Sequence, residues 1–413
     1  MMVSVTANMQ DGASSCAAFK ATILIIVAAA CFSSAIVSPC LPFIADYFNV
    51  HDYQTSLLVS NFLFGYLAGQ VFYSILSQRS GYKVALIFGF LIYVSSCLIQ
   101  IIAINCKAFN LLYYARFGCA FGASSGLICV FAIINDLPES KIQTQKLVSL
   151  AFISLTFFSY LSITIGGLLT QYLGWIYVFY FMMIVSLLNL LVIFKYIPQT
   201  YRKQRRHKSS VEILSQYFKA IFNYKIIIPS LAVSFTTTGT YLYNAIASTL
   251  SKVVFHLSPS VFGVISILNL IGLIFGGWLS SNLIIKYKTS SVLLCGMYIA
   301  FFPVAALFFL HDIIFTAHHH GLFFFLMVFI LNFGLGIIYP SASFLALNAL
   351  NCSSTASSIM NFLKIASPAF AIYFVSKSRM ELITSYRVPL ASIFIVAMLS
   401  CFAIKIIERL KSA

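Results

Sequence analysis

Two cations stand alone inside long apolar runs, and any function of this chain has to account for them. Arg116 lies about seven residues into the run 109–134, and Lys364 sits in the middle of the run 353–376. A charge held in such a place is costly unless it meets a partner, a wet cavity or a solute. Lys364 shares a helical face with Asn361 at i−3 and Pro368 at i+4, with Ser357 a further turn before Asn361. Arg116 is two residues, about 200° of helix, from Gly118, the first of a Gly118, Gly122, Gly126 stripe suited to close helix packing. Arg116 is therefore expected on the face away from the packing stripe. With two intramembrane cations and no carboxylate clearly inside a span, a shared cavity would attract anionic or zwitterionic solutes. The structural alternatives are a snorkelling Arg116 and a Lys364 bonded to carbonyls freed by Pro368.

Weaker polar candidates for the same pathway are Asn61 and Gln70, Tyr243 and Asn244, Asn269, and Asn332. Each has interhelical hydrogen bonding as its plain alternative. His318, His319 and His320 follow His311 and Asp312 in a loop, and are expected to be solvated rather than to bind metal. The ten cysteines are dispersed without a CxxC pair and read as small core residues, so no metal is expected. No cofactor is expected either. No Walker or HExxH sequence occurs, and the GxSxG string Gly122-Ala123-Ser124-Ser125-Gly126 lies inside an apolar run rather than at a strand-to-helix turn, which argues against an ATP-driven pump and against an enzyme.

The elements that must position these residues are membrane helices. The chain is 61% hydrophobic and 8% charged, with a mean hydropathy of +0.97. Soluble domains carry roughly 25% charged residues, so this chain cannot clothe itself in a water-facing surface. Runs near 21–41, 54–75, 84–105, 109–134, 147–169 and 174–196 form a first series. A second lies near 226–250, 260–283, 290–310, 321–347, 353–376 and 388–407. Runs of this length are helices, because only helices and closed barrels satisfy the backbone in lipid. The run after Lys20 is read as an uncleaved first span rather than a signal peptide.

A basic segment, Lys195–Lys225, separates the two series. The net charge of +16 would suggest nucleic acid in a soluble chain; here it marks loops retained on the cytoplasmic side, so nucleic acid is not an expected partner and anionic lipid is. An even number of spans with both termini inside places eighteen Lys and Arg on the cytoplasmic side against five outside. A short amphipathic helix is expected near Val211–Phe222. Gly65, Gly69 and Arg79 recur as Gly272, Gly276 and Lys286, all at an offset of 207 residues. The expected organisation is an all-α membrane protein of about 12 transmembrane helices in two pseudo-symmetric bundles of six. Residues 1–198 form one bundle and 226–413 the other, and the basic linker 199–225 joins them.

Several motifs then resemble a known family. The loop Ser74-Ile75-Leu76-Ser77-Gln78-Arg79-Ser80-Gly81-Tyr82-Lys83 is similar to the major facilitator signature G-x-x-x-D-R-x-G-R-R/K, matching at Arg79, Gly81 and Lys83 and departing at Ser74, Gln78 and Tyr82. Pro39-Cys40-Leu41-Pro42 and Gly69-Gln70 resemble bicyclomycin-resistance-type drug exporters. Arg116 with Gly118 and Gly122 looks like the family's fourth-span arginine motif. Gly166-Gly167, Gly174-Trp175, Pro198-Gln199-Thr200, Leu257-Ser258-Pro259 and Phe262-Gly263 point the same way.

The resemblance implies a secondary transporter using alternating access, with Gln78, Arg79, Gly81 and Lys83 in a gating loop that lacks the family's acid at Gln78. It implies a small-molecule substrate, a proton or another coupling ion, and efflux of a drug, secreted metabolite or siderophore. Ala35 stands where those exporters carry an acid, and Ser159 and Ile163 where the antiporter motif has prolines. A monomer in a bacterial inner membrane is expected. A membrane sensor or scaffold that keeps the fold without proton coupling is the alternative from another class.

Overall fold

A computed structural model of the protein describes residues 13–136, 141–197, 223–309, 321–347 and 353–412. Most of the basic linker, the Pro198-Gln199-Thr200 motif and the His318–His320 cluster lie outside these residues. In chain order the helices of the first sequence half are α1 (Ala13–Ala35), α2 (Leu41–Phe48), α3 (Asp52–Ser80), α4 (Tyr82–Asn105), α5 (Phe109–Asp136), α6 (Lys141–Tyr172) and α7 (Ile176–Tyr196). The second half gives α8 (Tyr224–Leu242), a π-turn (Tyr243–Ala247), α9 (Ser248–Val253), α10 (Pro259–Lys286), α11 (Thr289–Phe309), α12 (Gly321–Leu347), α13 (Ser353–Ser378) and α14 (Leu382–Ser412). Ten stretches among the described residues are long and apolar enough to cross a membrane.

Local chemistry explains the breaks. The first expected span ends in a 3-10 turn, Ser38–Cys40, and resumes as α2 with Pro42 in its first turn. Proline has no N–H to donate, so it is tolerated where first-turn donors have no partner anyway. Asn49 closes α2 at φ 52°, and Gly81 turns α3 into α4 at φ 87°, a conformation that suits glycine. The expected seventh span is continuous from Tyr224 to Val253, but its last third passes through the π-turn, a feature no apolar pattern announces.

The offset of 207 residues is a packing repeat. Gly65 and Gly69 of α3 lie against the backbone at Phe117 and Phe121 of α5; Gly272 and Gly276 of α10 lie against the backbone at Phe329 and Phe333 of α12. Gly122 of α5 meets the Gly89 carbonyl and the Tyr93 N–H of α4, and Gly334 of α12 meets the Gly296 carbonyl and the Ala300 N–H of α11. The glycines expected to be helix contacts are helix contacts in both halves. Helix pairing repeats as well: α1 packs on α5 and α7 as α8 packs on α12 and α14.

The chain divides into two compact units, which differ from the two sequence halves. One comprises Met1–Val37, Gly65–Ser162 and Ile176–Arg206; the other comprises Ser38–Phe64, Ile163–Trp175 and His207–Ala413. The boundaries fall inside α3 and α6. The 3-10 turn, α2, the start of α3 and the end of α6 thus pack with helices of the second sequence half.

Candidate functional site

Lys364 is half-buried on α13. Its ammonium lies 5.8 Å from the centre of the Tyr339 ring on α12, and no described carboxylate comes within ion-pair reach. Its own carbonyl accepts a hydrogen bond of 2.7 Å from Thr237 Oγ1 on α8. One residue on, Thr238 Oγ1 pairs with Ser367 Oγ at 2.9 Å. Asn361, Tyr339 and Thr237 are half-buried like Lys364 itself. Threonines at 236, 237, 238 and 240 each return a hydroxyl to a carbonyl of their own helix, which keeps a polar α8 stable in an apolar setting. The result is a cation beside a phenol ring, on a helix tied to the threonines of α8, with no ion-pair partner among the described residues.

Arg116 is placed differently. It is 1% exposed and belongs to the other compact unit from Lys364. Its Nη1 donates to the Ser33 carbonyl at 3.1 Å. That carbonyl is in the last turn of α1, where backbone acceptors lose their intrahelical partners. Arg116 therefore caps α1 and meets the negative end of its dipole. Tyr93, Cys97 and Cys119 lie within electrostatic range of the guanidinium, and the Cys119 thiol is within hydrogen-bond reach of Gln100 and Cys97. The Gly118, Gly122, Gly126 stripe packs as expected, on α4 and, at Gly126, on α1.

A third polar group surrounds the π-turn. The Tyr243 ring stacks on Phe262, its hydroxyl lies 3.2 Å from Ser266 Oγ, and Asn269 follows one turn later on α10. Asn269 is wholly buried, and neither atom of its carboxamide has a partner among the described residues. The turn's own carbonyls are met from the first sequence half: Ser38 Oγ donates to the Asn244 carbonyl, and Ser56 Oγ to the Ala245 carbonyl at 3.2 Å. Near this end of the molecule Lys252 of α9 bonds Asp46 of α2 at 2.5 Å, with its ammonium 4.1 Å from the centre of the Phe43 ring.

The remaining candidates are dispersed. Asn61 is buried near the start of α3 and Gln70 is half-buried further along it. Asn332 donates to the Val328 carbonyl of its own helix at 2.9 Å. Of the expected gating loop only Gly81 lies between helices: Gln78 and Arg79 are exposed in the last turn of α3, and Lys83, in the first turn of α4, donates to the Phe194 carbonyl at the end of α7 at 3.0 Å. Lys364 and Asn361 share a face of α13 one turn apart, and Tyr243 reaches α10 at Ser266, one turn before Asn269.

Sequence reasoning missed Tyr339, Thr237, Ser33 and the Asp46–Lys252 pair. One signal was present. Asp46 and Lys252, like Ser38 and Asn244, are 206 residues apart, close to the repeat offset. Equivalent segments that touch each other lie beside the repeat's symmetry axis.

The sequence pattern of the Major Facilitator Superfamily matches residues 23–372. The chain belongs to the Major Facilitator Superfamily. It is a multi-pass membrane protein with the fold of that superfamily's transporters. Among its relatives is a "Bicyclomycin resistance protein homolog" of Haemophilus influenzae, 23% identical over 259 residues, which are 62% of this chain and 64% of that protein. An uncharacterized transporter of Rickettsia felis is 25% identical over 387 residues, 90% of this chain and 92% of that one. In three dimensions the chain resembles a D-xylose-proton symporter, with TM-score 0.69, 14% identity, and coverage of 94% of this chain and 95% of that one. A nucleoside transporter gives TM-score 0.72 at 11% identity, covering 93% and 98%. At these identities the likeness shows the fold alone.

Proposed function

We propose that this superfamily member is a secondary transporter that moves a small anionic or zwitterionic solute by alternating access, with Lys364 as its charge anchor. The observation that carries this reading is the ammonium of Lys364, half-buried in the membrane span, 5.8 Å from the centre of the Tyr339 ring and with no carboxylate partner among the described residues. A lysine at mid-span costs about 3 kcal/mol on insertion scales. A charge-assisted bond to a carboxylate or phosphate offsets that cost. Tyr243, Asn269, Asn61, Gln70 and Asn332 are proposed as uncharged contacts along the pathway. Arg116 is proposed to hold the end of α1 in place. Gln78, Arg79, Gly81 and Lys83 are proposed as the gating loop.

Efflux is the favoured direction, supported by the likeness to the Haemophilus influenzae relative. The setting is a bacterial inner membrane with cytoplasmic termini, supported by the eighteen-to-five distribution of basic residues, and the working unit is a monomer. Transport into and out of proteoliposomes under a pH gradient tests the reading. Movement of an anionic solute that falls at least tenfold in Lys364→Gln and returns partly in Lys364→Arg is expected. Unchanged movement in Lys364→Gln would overturn the anchor, and absence of any solute movement would favour the sensor or scaffold.

A further inference from the structure

At the Asp46 end of the molecule, inside a single compact unit, lies a cavity of about 190 Å³ lined by none of the residues proposed above as solute contacts. Its polar lining is His51, Asp52, Ser56, Ser376 and Ser385; Tyr53, Ile246, Val375, Met380 and Leu382 complete the wall. The lining comes from four elements: the start of α3, the π-turn, the end of α13 and the start of α14. A volume near 190 Å³ holds about six waters at roughly 30 Å³ each. That is room for a small ion with part of its hydration shell.

The chemistry of the lining is that of acceptors. Ser56 donates its hydroxyl proton to the main chain at Asp52 and Ala245, and Ser385 donates to the Met380 carbonyl at 3.1 Å. What these hydroxyls have left to offer the cavity is lone pairs. The Asp52 carbonyl is used by Thr55 and Ser56, but its carboxylate has no hydrogen bond or ion pair among the described residues. Ser376 is 2% exposed, and its hydroxyl, at the cavity, has no partner either.

Lys252 is bonded to Asp46 and lies, with His51, within electrostatic range of the Asp52 carboxylate without bonding it, and the Arg379 guanidinium lies 5.7 Å from the centre of the Tyr53 ring. The His51 ring stacks on Tyr53. Since α3 and α14 begin here and α13 ends here, the helix ends contribute both signs, and the carboxylate decides the balance.

We infer that this cavity is a binding site for a small monovalent cation, a sodium ion or a short alkylammonium, held by the Asp52 carboxylate and the Ser56, Ser376 and Ser385 hydroxyls. An occupant joins α3, which belongs to the first sequence half, to α13 and α14 of the second. It therefore braces this end of the molecule in the arrangement seen. Binding is strongest where Asp52 is ionised and weakens as pH falls and its carboxylate takes up a proton.

Thermal unfolding of the full-length protein in detergent tests the site without reference to transport, so its outcome is separate from that of the solute reading. Sodium chloride, methylammonium chloride and the chloride of the bulky cation N-methylglucamine are compared at equal ionic strength. Sodium or methylammonium is expected to raise Tm by about 2–3 °C at ten times its half-saturating concentration, relative to N-methylglucamine. The shift is expected to vanish in both Asp52→Asn and Ser376→Ala. A shift with sodium alone assigns a metal ion, and one with methylammonium alone assigns an organic cation. Equal Tm in all three salts, or a shift that survives Asp52→Asn in a folded variant, would overturn the proposal.

Discussion

The two intramembrane cations look alike in sequence and differ in what surrounds them. Arg116 is fully enclosed and has a defined task, donating to a carbonyl that the end of α1 leaves without a helical partner. Among the described residues the Lys364 ammonium contacts the Tyr339 ring alone, so its charge remains on offer. Arg116→Met keeps most of the volume but leaves the Ser33 carbonyl buried and unpaired, a loss of about 1–3 kcal/mol. A lowered Tm is expected, with partial recovery in Arg116→Lys. Lys364→Gln is expected to leave Tm within about 1 °C, since changes that break no packing or hydrogen bond are usually near neutral. A Tm that dropped as far for Lys364→Gln as for Arg116→Met would assign Lys364 to structure. Residue type and spacing made both positions legible. Which of them was already engaged was not legible, because the partner of Arg116 is a backbone carbonyl 83 residues away, and carbonyls carry no sequence signature.

At the scale of elements, nearly every span could be read from hydropathy, because a lipid-crossing helix must be apolar along its whole length. The π-turn could not, since it changes the hydrogen-bond register without changing composition. The close crossings were partly legible through their glycines. Gly276 and Gly277 are adjacent, yet only one is required by the crossing of α10 and α12. A Cβ at Gly276 would overlap the Phe333 carbonyl and come within 3.0 Å of the Gly336 Cα. At Gly277 the nearest atom is 3.7 Å away, ordinary van der Waals contact. Gly276→Ala must therefore push two backbones apart, at about 1–3 kcal/mol. Gly277→Ala gains up to about 1 kcal/mol of helix propensity. Folded yield and Tm of the two variants should move in opposite directions. Equal effects would mean that the crossing does not depend on backbone contact at Gly276.

Across the whole molecule, the repeat explains why the contacts at the Asp46 end lie so far apart in sequence. Ser38 meets Asn244 and Asp46 meets Lys252 at separations of 206 residues, while Ser56 meets Ala245 at 189. These are the contacts that alternating access would have to break. The two serine bonds satisfy carbonyls of the π-turn, which would otherwise need water. The ion pair is more accessible, with Asp46 72% exposed and Lys252 32%. At that exposure the pair contributes no more than about 1 kcal/mol, or about fivefold in the balance between closed and open arrangements. This end is thus held by several weak contacts rather than one strong one. Trp175 reports on it directly, because its ring lies 5.2 Å from that of Tyr47 on α2. In a Trp278→Phe background, Asp46→Asn is expected to raise acrylamide quenching of Trp175 by no more than a few-fold. The doubly reversed protein, Asp46→Lys with Lys252→Asp, is expected to restore the parent value. High salt should narrow the difference, since an exposed pair is screened. Quenching that rises in the doubly reversed protein as much as in Asp46→Asn would mean that the pair is incidental and that the serine bonds alone hold this end.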